Sequence, residues 1–88
     1  MKITFDPNKA ATNYRKHGIR FSDAEPVLFD PMALTREDKD ADGEQRFVSI
    51  GVDATGRVLV VVFMYRGKEI RLISARPATV KEREYYER

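Results

Sequence analysis

Three arginines mark the segment RLISARPATVKEREYY, residues 71–86. Arg71 and Arg76 stand in an alternating apolar stretch that predicts a β-strand, and Arg83 stands in a helix predicted to follow it. Guanidinium groups bind phosphate through a fork of hydrogen bonds and stay charged at any working pH. Arg76 also lies beside a predicted helix start, whose free N–H groups favour anions. The segment therefore predicts one edge of an anion-binding site.

Other residues with suitable chemistry are cations elsewhere in the chain and one accompanying carboxylate. They are Lys16, His17, Arg46, Arg66 and Glu44. If the cations face one groove together with Arg76, they would hold an RNA backbone. They would also stabilise the charge on a phosphate attacked by its own 2′-hydroxyl. Such cleavage needs alignment and an acid or base, but neither a metal ion nor a nucleophile from the protein.

Each candidate also has a structural interpretation. His17 directly precedes Gly18, where it would cap the end of a helix or interact with the helix dipole. Arg71 fits an outward-facing strand residue, and Glu44 and Arg46 fit a surface ion pair. The last helix carries Tyr85 and Tyr86, which are interpreted as core residues.

The charge distribution favours an anionic partner for the C-terminal part of the chain. The net charge is only +2, but residues 66–83 hold six Lys or Arg against two Glu, and residues 36–44 are acidic. We predict no metal site, because there is no cysteine, one histidine, and no calcium-loop spacing in the acidic segment. Motifs for nucleotide cofactors are missing as well, and we predict no cofactor.

The sequence predicts a single domain over residues 1–88. No segment resembles a signal peptide, and the longest apolar run, VLVVVFMY at 58–65, is shorter than the roughly 18 residues of a membrane span. We therefore expect a cytoplasmic protein with no membrane partner.

Helix signals occur at three places. Asp6, Pro7 and Gly18 predict the start and end of a first helix. Ser22 and Glu25 predict a capping box for a second helix that ends near Asp30, and a second capping box, TVKE at 79–82, predicts a C-terminal helix.

Strand signals fill most of the remaining chain. Short strands are expected at 2–5 and 32–36, the latter followed by an acidic turn around 42–43, and a meander of three strands at 46–53, 57–66 and 68–76. In the last strand Ile70 and Leu72 are expected on one side, against Arg71, Ile73 and Ala75 on the other. The prediction is an α+β fold: a small, mostly antiparallel four-stranded sheet with two N-terminal helices and one C-terminal helix.

The order and spacing of several segments resemble the BrnT family of bacterial type II toxins. These segments are FDPNKAATNYRKHGIRFSDAEPVLFD, EQRFVSIG, GRVLVVVF, RGKEIRLISARPAT and KEREYY. The most specific matches are KHG at 16–18, E-x-R at 44–46, Gly56-Arg57, ISAR at 73–76 and Glu82-Arg83. The resemblance covers nearly the whole chain.

This resemblance implies a fold related to the RelE toxins and a metal-independent endoribonuclease that inhibits translation. It also implies neutralisation by a BrnA-type antitoxin with a DNA-binding domain, and repression of the operon by the complex of the two proteins. The basic cluster of the family falls on Lys16, His17, Arg46, Arg66 and Arg76.

Four residues depart from the family pattern: Phe5, Met64, Tyr65 and Pro77. These departures favour an alternative in which the chain is a weak or inactive enzyme that serves mainly as the antitoxin's partner. A second alternative, a stand-alone nucleic-acid binder, predicts steep salt dependence of binding by the isolated chain.

Overall fold

The computed structural model describes residues 2–39 and 43–88. The helices are α1 (Pro7–His17), α2 (Phe21–Ala24), which runs into a 3-10 helix (Glu25–Phe29), and α3 (Val80–Tyr86). The strands are β1 (Lys2–Thr4), β2 (Leu34–Asp38), β3 (Arg46–Val52), β4 (Val58–Arg66) and β5 (Glu69–Pro77). The α+β class is confirmed. Among the described residues, no helix has the length and apolar character needed to span a membrane.

The sheet has five strands in the order β1-β5-β4-β3-β2, so the predicted number of four is wrong. The predicted meander forms β3, β4 and β5, and β2 joins it antiparallel at one edge. At the other edge β1 pairs with β5 in parallel, which makes the sheet mixed. The short strands β1 and β2 join the sheet because each forms hydrogen bonds with the unpaired backbone N–H and C=O groups at one edge of the meander.

The first helix forms as its local signals predict. The Asn8 backbone N–H donates to Asp6 Oδ1 at 2.8 Å, Pro7 occupies the first turn, and Gly18 adopts a φ of 70° and donates its N–H to the Tyr14 carbonyl at 2.7 Å. The C-terminal capping box is also confirmed. The Glu82 N–H donates to Thr79 Oγ1, and the Thr79 N–H donates to Glu82 Oε1 at 2.8 Å.

The capping box predicted at Ser22 and Glu25 is wrong. The helix begins at Phe21, and Ser22 therefore lies inside its first turn. Burial of Phe21 and Ala24 in the core sets this start, since it overrides the local preference of serine for the cap. Pro26 has no N–H to donate, and the chain continues past Ala24 as the tighter 3-10 helix.

The strand expected at 32–36 forms two residues later, as β2. A turn occupies the intervening chain: the Met32 N–H donates to Asp30 Oδ1 at 2.9 Å, and the Ala33 N–H donates to the Asp30 carbonyl. The predicted acidic turn is centred on 42–43, of which Asp42 lies outside the described residues and Gly43 has a φ of 81°.

The core lies between one face of the sheet and the layer formed by α1, α2 and the 3-10 helix. It is built from Ile19, Phe21, Ala24, Val27, Leu59, Val61, Phe63, Ile70, Leu72 and Ala75. The opposite face, called the outer face below, is covered at one end by α3.

A β-bulge in β5 changes which side chains reach the outer face. Val62 pairs with Ser74 and Phe63 with Leu72, so Ile73 is an extra residue between them. The expectation that Ala75 lies opposite Leu72 is therefore wrong, and both are fully buried in the core at 0% exposure. By alternation on either side of the bulge, Arg71 and Arg76 fall on the outer face together.

The side chain of Asn13 holds α1 against the edge of β5. Its Nδ2 donates to the Ala75 carbonyl at 2.9 Å and to the Ile19 carbonyl at 3.1 Å, and its Oδ1 accepts from the Ala75 N–H at 3.1 Å. Because β1 pairs only as far as Arg71, Asn13 takes over the ladder bonds of β5 where β1 ends. The C-terminal end of α1 is thereby fixed beside Ser74.

Candidate functional site

The outer face of the sheet carries a set of arginines contributed by four strands, called the arginine face below. Its members are Arg36, Arg46, Arg66, Arg71 and Arg76. Strand register places them there: Arg36 pairs with Val48, Met64 with Arg71, and Val60 with Arg76. Arg46 is the neighbour of Phe47 in β3, and Arg66 is the neighbour of Tyr65 in β4. The rings of Phe47 and Tyr65 pack against Phe63 on the core side, so the two arginines lie on the outer face.

An apolar strip runs between these arginines. It consists of Val48, Ile50, Val60, Val62 and Met64, of which Val60 and Met64 are buried and the others half-buried. The surface is therefore a low-dielectric floor with guanidinium groups around it. Charged groups at such a floor act on an anion more strongly than they would in bulk water.

Arg76 is held by a two-point ion pair. Its Nη1 donates to Glu82 Oε1 at 2.8 Å and its Nη2 donates to Glu82 Oε2 at 2.9 Å. Hydrogen bonding from Arg76 lowers the pKa of Glu82 to about 2, and the same bond raises the pKa of Arg76. The anion beside Arg76 and the start of α3 is thus a carboxylate of the protein itself.

Arg46 lies on β3 directly opposite Asp38 of β2. Its Nε is buried without a hydrogen-bond partner. Glu44 is exposed, and within the described residues it forms no ion pair with Arg46, so the surface pair considered above does not form. Glu44 therefore lies near the end of the arginine face, two residues before Arg46 in the chain.

Lys16 and His17 border the arginine face from its edge. Together with Ile73 and Ser74 of β5 they line a shallow cavity of about 310 Å³ under α1. Ser74 precedes Arg76 on the outer face, which brings the end of α1 next to the arginine set. His17 also stands in the last turn of α1, so its position fits both a site residue and a helix-terminal residue.

The remaining predicted residues differ in position. Arg66 ends β4 opposite Glu69 and is exposed, and Arg71 is half-buried beside Met64. Arg83 is exposed on α3. The structure therefore brings Arg46, Arg66, Arg71 and Arg76 onto one face, adds Lys16 and His17 at its edge, and leaves Glu44 and Arg83 at the periphery.

Sequence reasoning missed Arg36 and assigned Tyr85 wrongly. Arg36 alternates with Leu34 in β2, and this alternation is the signal that identifies it once the strand is placed at 34–38. Tyr85 is 55% exposed and lines a cavity on the outer face, so its interpretation as a core residue is wrong. Tyr86 is half-buried and donates its hydroxyl to Asp30 Oδ2 at 2.5 Å.

Within residues 2–39 and 43–88, no group of three or more His, Cys, Asp or Glu side chains is arranged to hold a metal ion. The ionisable groups of the arginine face are instead guanidinium cations, of which Arg76 is paired with a carboxylate, that of Glu82. Such an arrangement binds polyanions and stabilises negative charge that develops during a reaction.

Comparison with known proteins assigns the chain to a family. A family model described as the ribonuclease toxin BrnT of type II toxin-antitoxin systems matches residues 5–82. The crystal structure of the Brucella abortus ribonuclease toxin BrnT, at 1.1 Å resolution, superimposes with a TM-score of 0.72 and 32% sequence identity, covering 90% of this chain and 97% of that chain. Among curated protein sequences no match was found. The chain belongs to the BrnT family of ribonuclease toxins of type II toxin-antitoxin systems.

Proposed function

We propose that this protein is a metal-independent endoribonuclease that cleaves RNA and thereby inhibits translation. The observation that carries the proposal is the β5 bulge, because it turns Arg71 and Arg76 to the same face as Arg46 and Arg66. A set of fixed guanidinium groups over an apolar floor is suited to bind an RNA backbone. Lys16 and Arg83 extend the positive surface for flanking phosphates.

In the proposed reaction the 2′-oxygen of a ribose attacks the adjacent phosphorus. The O2′–P bond forms, the P–O5′ bond breaks, and the products carry a 2′,3′-cyclic phosphate and a 5′-hydroxyl. The proton leaves the 2′-hydroxyl for a base, and an acid supplies a proton to the departing 5′-oxygen. Arg46, Arg66 and Arg76 stabilise the added charge on the phosphate, and His17 and Glu44 are the candidates for acid and base.

The partner proposed for this toxin is a BrnA-type antitoxin with a DNA-binding domain, and the complex of the two would repress its own operon. Membership of a toxin-antitoxin family supports a protein partner. The arginine face offers that partner both charge and apolar area. Relation to the RelE toxins and a cytoplasmic location stay predictions that accompany this proposal.

A weak or inactive enzyme is the second candidate, and one observation favours it. Glu82 occupies both terminal nitrogens of Arg76, which reduces the positive charge that Arg76 presents to a phosphate. In that case the chain would serve mainly to bind its antitoxin.

Cleavage of single-stranded RNA in buffer with EDTA tests the proposal. We expect fragments with 2′,3′-cyclic phosphate ends from the wild-type protein. Arg46→Ala should lower the cleavage rate by about 100- to 1000-fold, as loss of one charge-stabilising donor does in other enzymes. Arg71→Ala should lower the cleavage rate as well, because it weakens the hold on the RNA backbone. The matched control is Arg20→Ala, since Arg20 stacks on Tyr14 on the helical side of the molecule.

Three results would contradict the proposal. Cleavage that stops in EDTA and returns with Mg²⁺ would refute metal independence. Equal rates for Arg71→Ala, Arg46→Ala and Arg20→Ala would remove the arginine face from the reaction. A folded wild-type protein that cleaves no RNA and leaves growth unaffected when expressed would favour the inactive partner.

A further inference from the structure

A cavity of about 230 Å³ adjoins the arginine face where α3 crosses the sheet. It is lined by Leu34, Thr35, Arg36, Val48, Ile50, Arg76, Glu82 and Tyr85. Its floor is aliphatic, its wall is the phenol ring of Tyr85, and its charged groups are two guanidiniums and a carboxylate. It is smaller than the roughly 300–1,000 Å³ of sites for drug-sized ligands, so its size suits one ring system.

The ring of Tyr85 is open toward this cavity. The guanidinium of Arg88 lies 5.4 Å from the ring centre, but Arg88 lines the neighbouring cavity, together with Lys81 and Glu84. Ile50, Glu82 and Tyr85 border both cavities, but Arg88 does not line the first one, and Tyr85 is 55% exposed.

The helix that carries Tyr85 is fixed at both ends. Its start is held by the capping box and by the ion pair of Glu82 with Arg76, and its end is held by the hydrogen bond from Tyr86 to Asp30. No residue of α3 is fully buried, so these polar contacts contribute much of what positions the helix. The backbone that carries Tyr85 is thus held in place before any ligand binds, which limits the entropy lost on binding.

We propose that this cavity is a nucleobase subsite that takes one unpaired base of the RNA substrate, stacked on Tyr85, with the adjoining phosphate on Arg36. The inference rests on the proposed ribonuclease function. Proteins that bind single-stranded RNA stack splayed bases on aromatic rings and hold the backbone with cations. Here the ring, the apolar floor and the two arginines occur within one cavity, continuous with the surface proposed to bind the backbone.

The test measures binding of a fluorescein-labelled 2′-O-methyl RNA strand, which cannot be cleaved. Tyr85→Ala and Tyr85→Leu should weaken binding by about 5- to 150-fold, the range for loss of one base stack, whereas Tyr85→Phe should bind like the wild type. Leucine keeps apolar bulk but has no π face. The matched control is Tyr14→Ala, which removes another half-exposed tyrosine, on α1, and should leave binding unchanged.

An abasic strand with the same backbone separates stacking from backbone contacts. If Tyr85 stacks a base, wild type and Tyr85→Ala should bind the abasic strand equally, because the group that the tyrosine contacts is missing. Equal weakening by Tyr85→Ala on both strands would overturn the subsite. The comparison of the two strands with wild-type protein gives a further check that needs no variant: tighter binding of the strand with bases is expected.

The outcomes distinguish this inference from the proposed function. If the wild type binds no RNA, the proposed function fails together with the subsite. If the wild type binds and cleaves RNA while Tyr85→Ala and Tyr85→Leu match it, only the subsite is refuted. Weakened binding of the antitoxin by these variants, with RNA binding unchanged, would likewise refute it and assign the cavity to an antitoxin side chain.

Discussion

Arg76 and Glu82 face each other through two hydrogen bonds of 2.8 and 2.9 Å, in the geometry by which a guanidinium binds a phosphate. Glu82 also accepts the Thr79 N–H, so one carboxylate both caps α3 and joins it to β5. An RNA phosphate that binds Arg76 must share or displace this carboxylate. The same contact therefore supports the fold and competes with the proposed substrate.

The first prediction concerns Glu82→Gln. Glutamine keeps the capping geometry but removes the charge that competes for Arg76, so binding of 2′-O-methyl RNA should tighten by about 2- to 5-fold, the equivalent of a partly exposed ion pair. Fluorescence anisotropy at fixed salt measures it. Glu84→Gln is the control, because it removes an exposed charge from the same helix. Equal tightening in both variants would indicate a general charge effect instead of competition at Arg76.

The pH dependence of stability provides a second prediction from the same pair. Folding lowers the pKa of Glu82 from 4.5 to about 2, so the stabilisation is complete above pH 4.5 and is lost as the pH falls toward 2. We expect the difference in free energy of unfolding between wild type and Glu82→Gln to shrink by about 1–3 kcal/mol over this range. Urea denaturation at pH 7, 4 and 2.5 measures it. A difference that stays constant with pH would contradict the prediction.

Asn13 carries the third prediction, because its amide replaces a strand at the edge of β5. The side chain is only 6% exposed and makes hydrogen bonds to Ala75 and Ile19. Asn13→Ala leaves these buried backbone groups without partners and should lower the free energy of unfolding by about 2–4 kcal/mol, measured by urea denaturation. The control Asn8→Ala, at an exposed position of the same helix, should change it by less than about 0.5 kcal/mol. Similar losses in both variants would mean that the helix itself, and not the edge contact, is sensitive.

The caps of this fold follow from local sequence, and the arrangement of the site does not. Asp6, Gly18 and the Thr79–Glu82 box act on backbone groups within a few residues, so their spacing alone identifies them. The bulge at Ile73 depends on how β5 pairs with β4. Ile73 and Ala75 are both apolar, so the alternating pattern cannot show that, of the two, Ala75 is the one buried in the core.

The candidate site could likewise be predicted only in part, because residue types are visible in the sequence and strand pairing is not. Arg46, Arg66 and Arg76 were identified by residue type and by the family pattern, but their common face results from pairing between strands distant in sequence. Arg36 was missed because β2 owes its position to the turn at Asp30 and to its pairing with β3. The prediction of Tyr85 as a core residue is wrong because helix periodicity does not show how much of the sheet a helix covers. A helix as short as α3 covers only a small part of the sheet and leaves Tyr85 exposed.

The contact between Tyr86 and Asp30 supports a fourth prediction. Hydrogen bonding to Asp30 raises the pKa of Tyr86 from 10.0 to about 12, and the folded state therefore favours the neutral phenol. The stabilisation is complete below pH 10 and is lost as the pH rises toward 12. Tyr86→Phe should lower the free energy of unfolding by about 1–2 kcal/mol at pH 8, and this loss should disappear by pH 12. Tyr85→Phe is the control and should match the wild type. If Tyr86→Phe still lowers the free energy of unfolding at pH 12, the hydroxyl stabilises the fold by some means other than its hydrogen bond to Asp30.

The salt dependence of RNA binding provides the last prediction, because it counts the phosphates that the arginine face neutralises. For single-stranded nucleic acid each neutralised phosphate contributes about 0.7 to the slope of log affinity against log salt. Arg71→Ala and Arg46→Ala should each reduce the slope by about 0.7, because each removes one guanidinium from the proposed backbone contact. The measurement is a titration of 2′-O-methyl RNA at several NaCl concentrations, with Arg20→Ala as the charge-matched control.

An unchanged slope for Arg20→Ala would show that loss of one positive charge anywhere on the protein is not enough to change the salt dependence of RNA binding. If Arg71→Ala and Arg46→Ala weaken binding but leave the slope unchanged, these arginines act by shaping the sheet surface and do not contact phosphates. Tyr85→Ala adds an internal comparison, since stacking releases no counterions. It should weaken binding at every salt concentration and leave the slope as in the wild type, so that base and phosphate contacts are separated in one set of titrations.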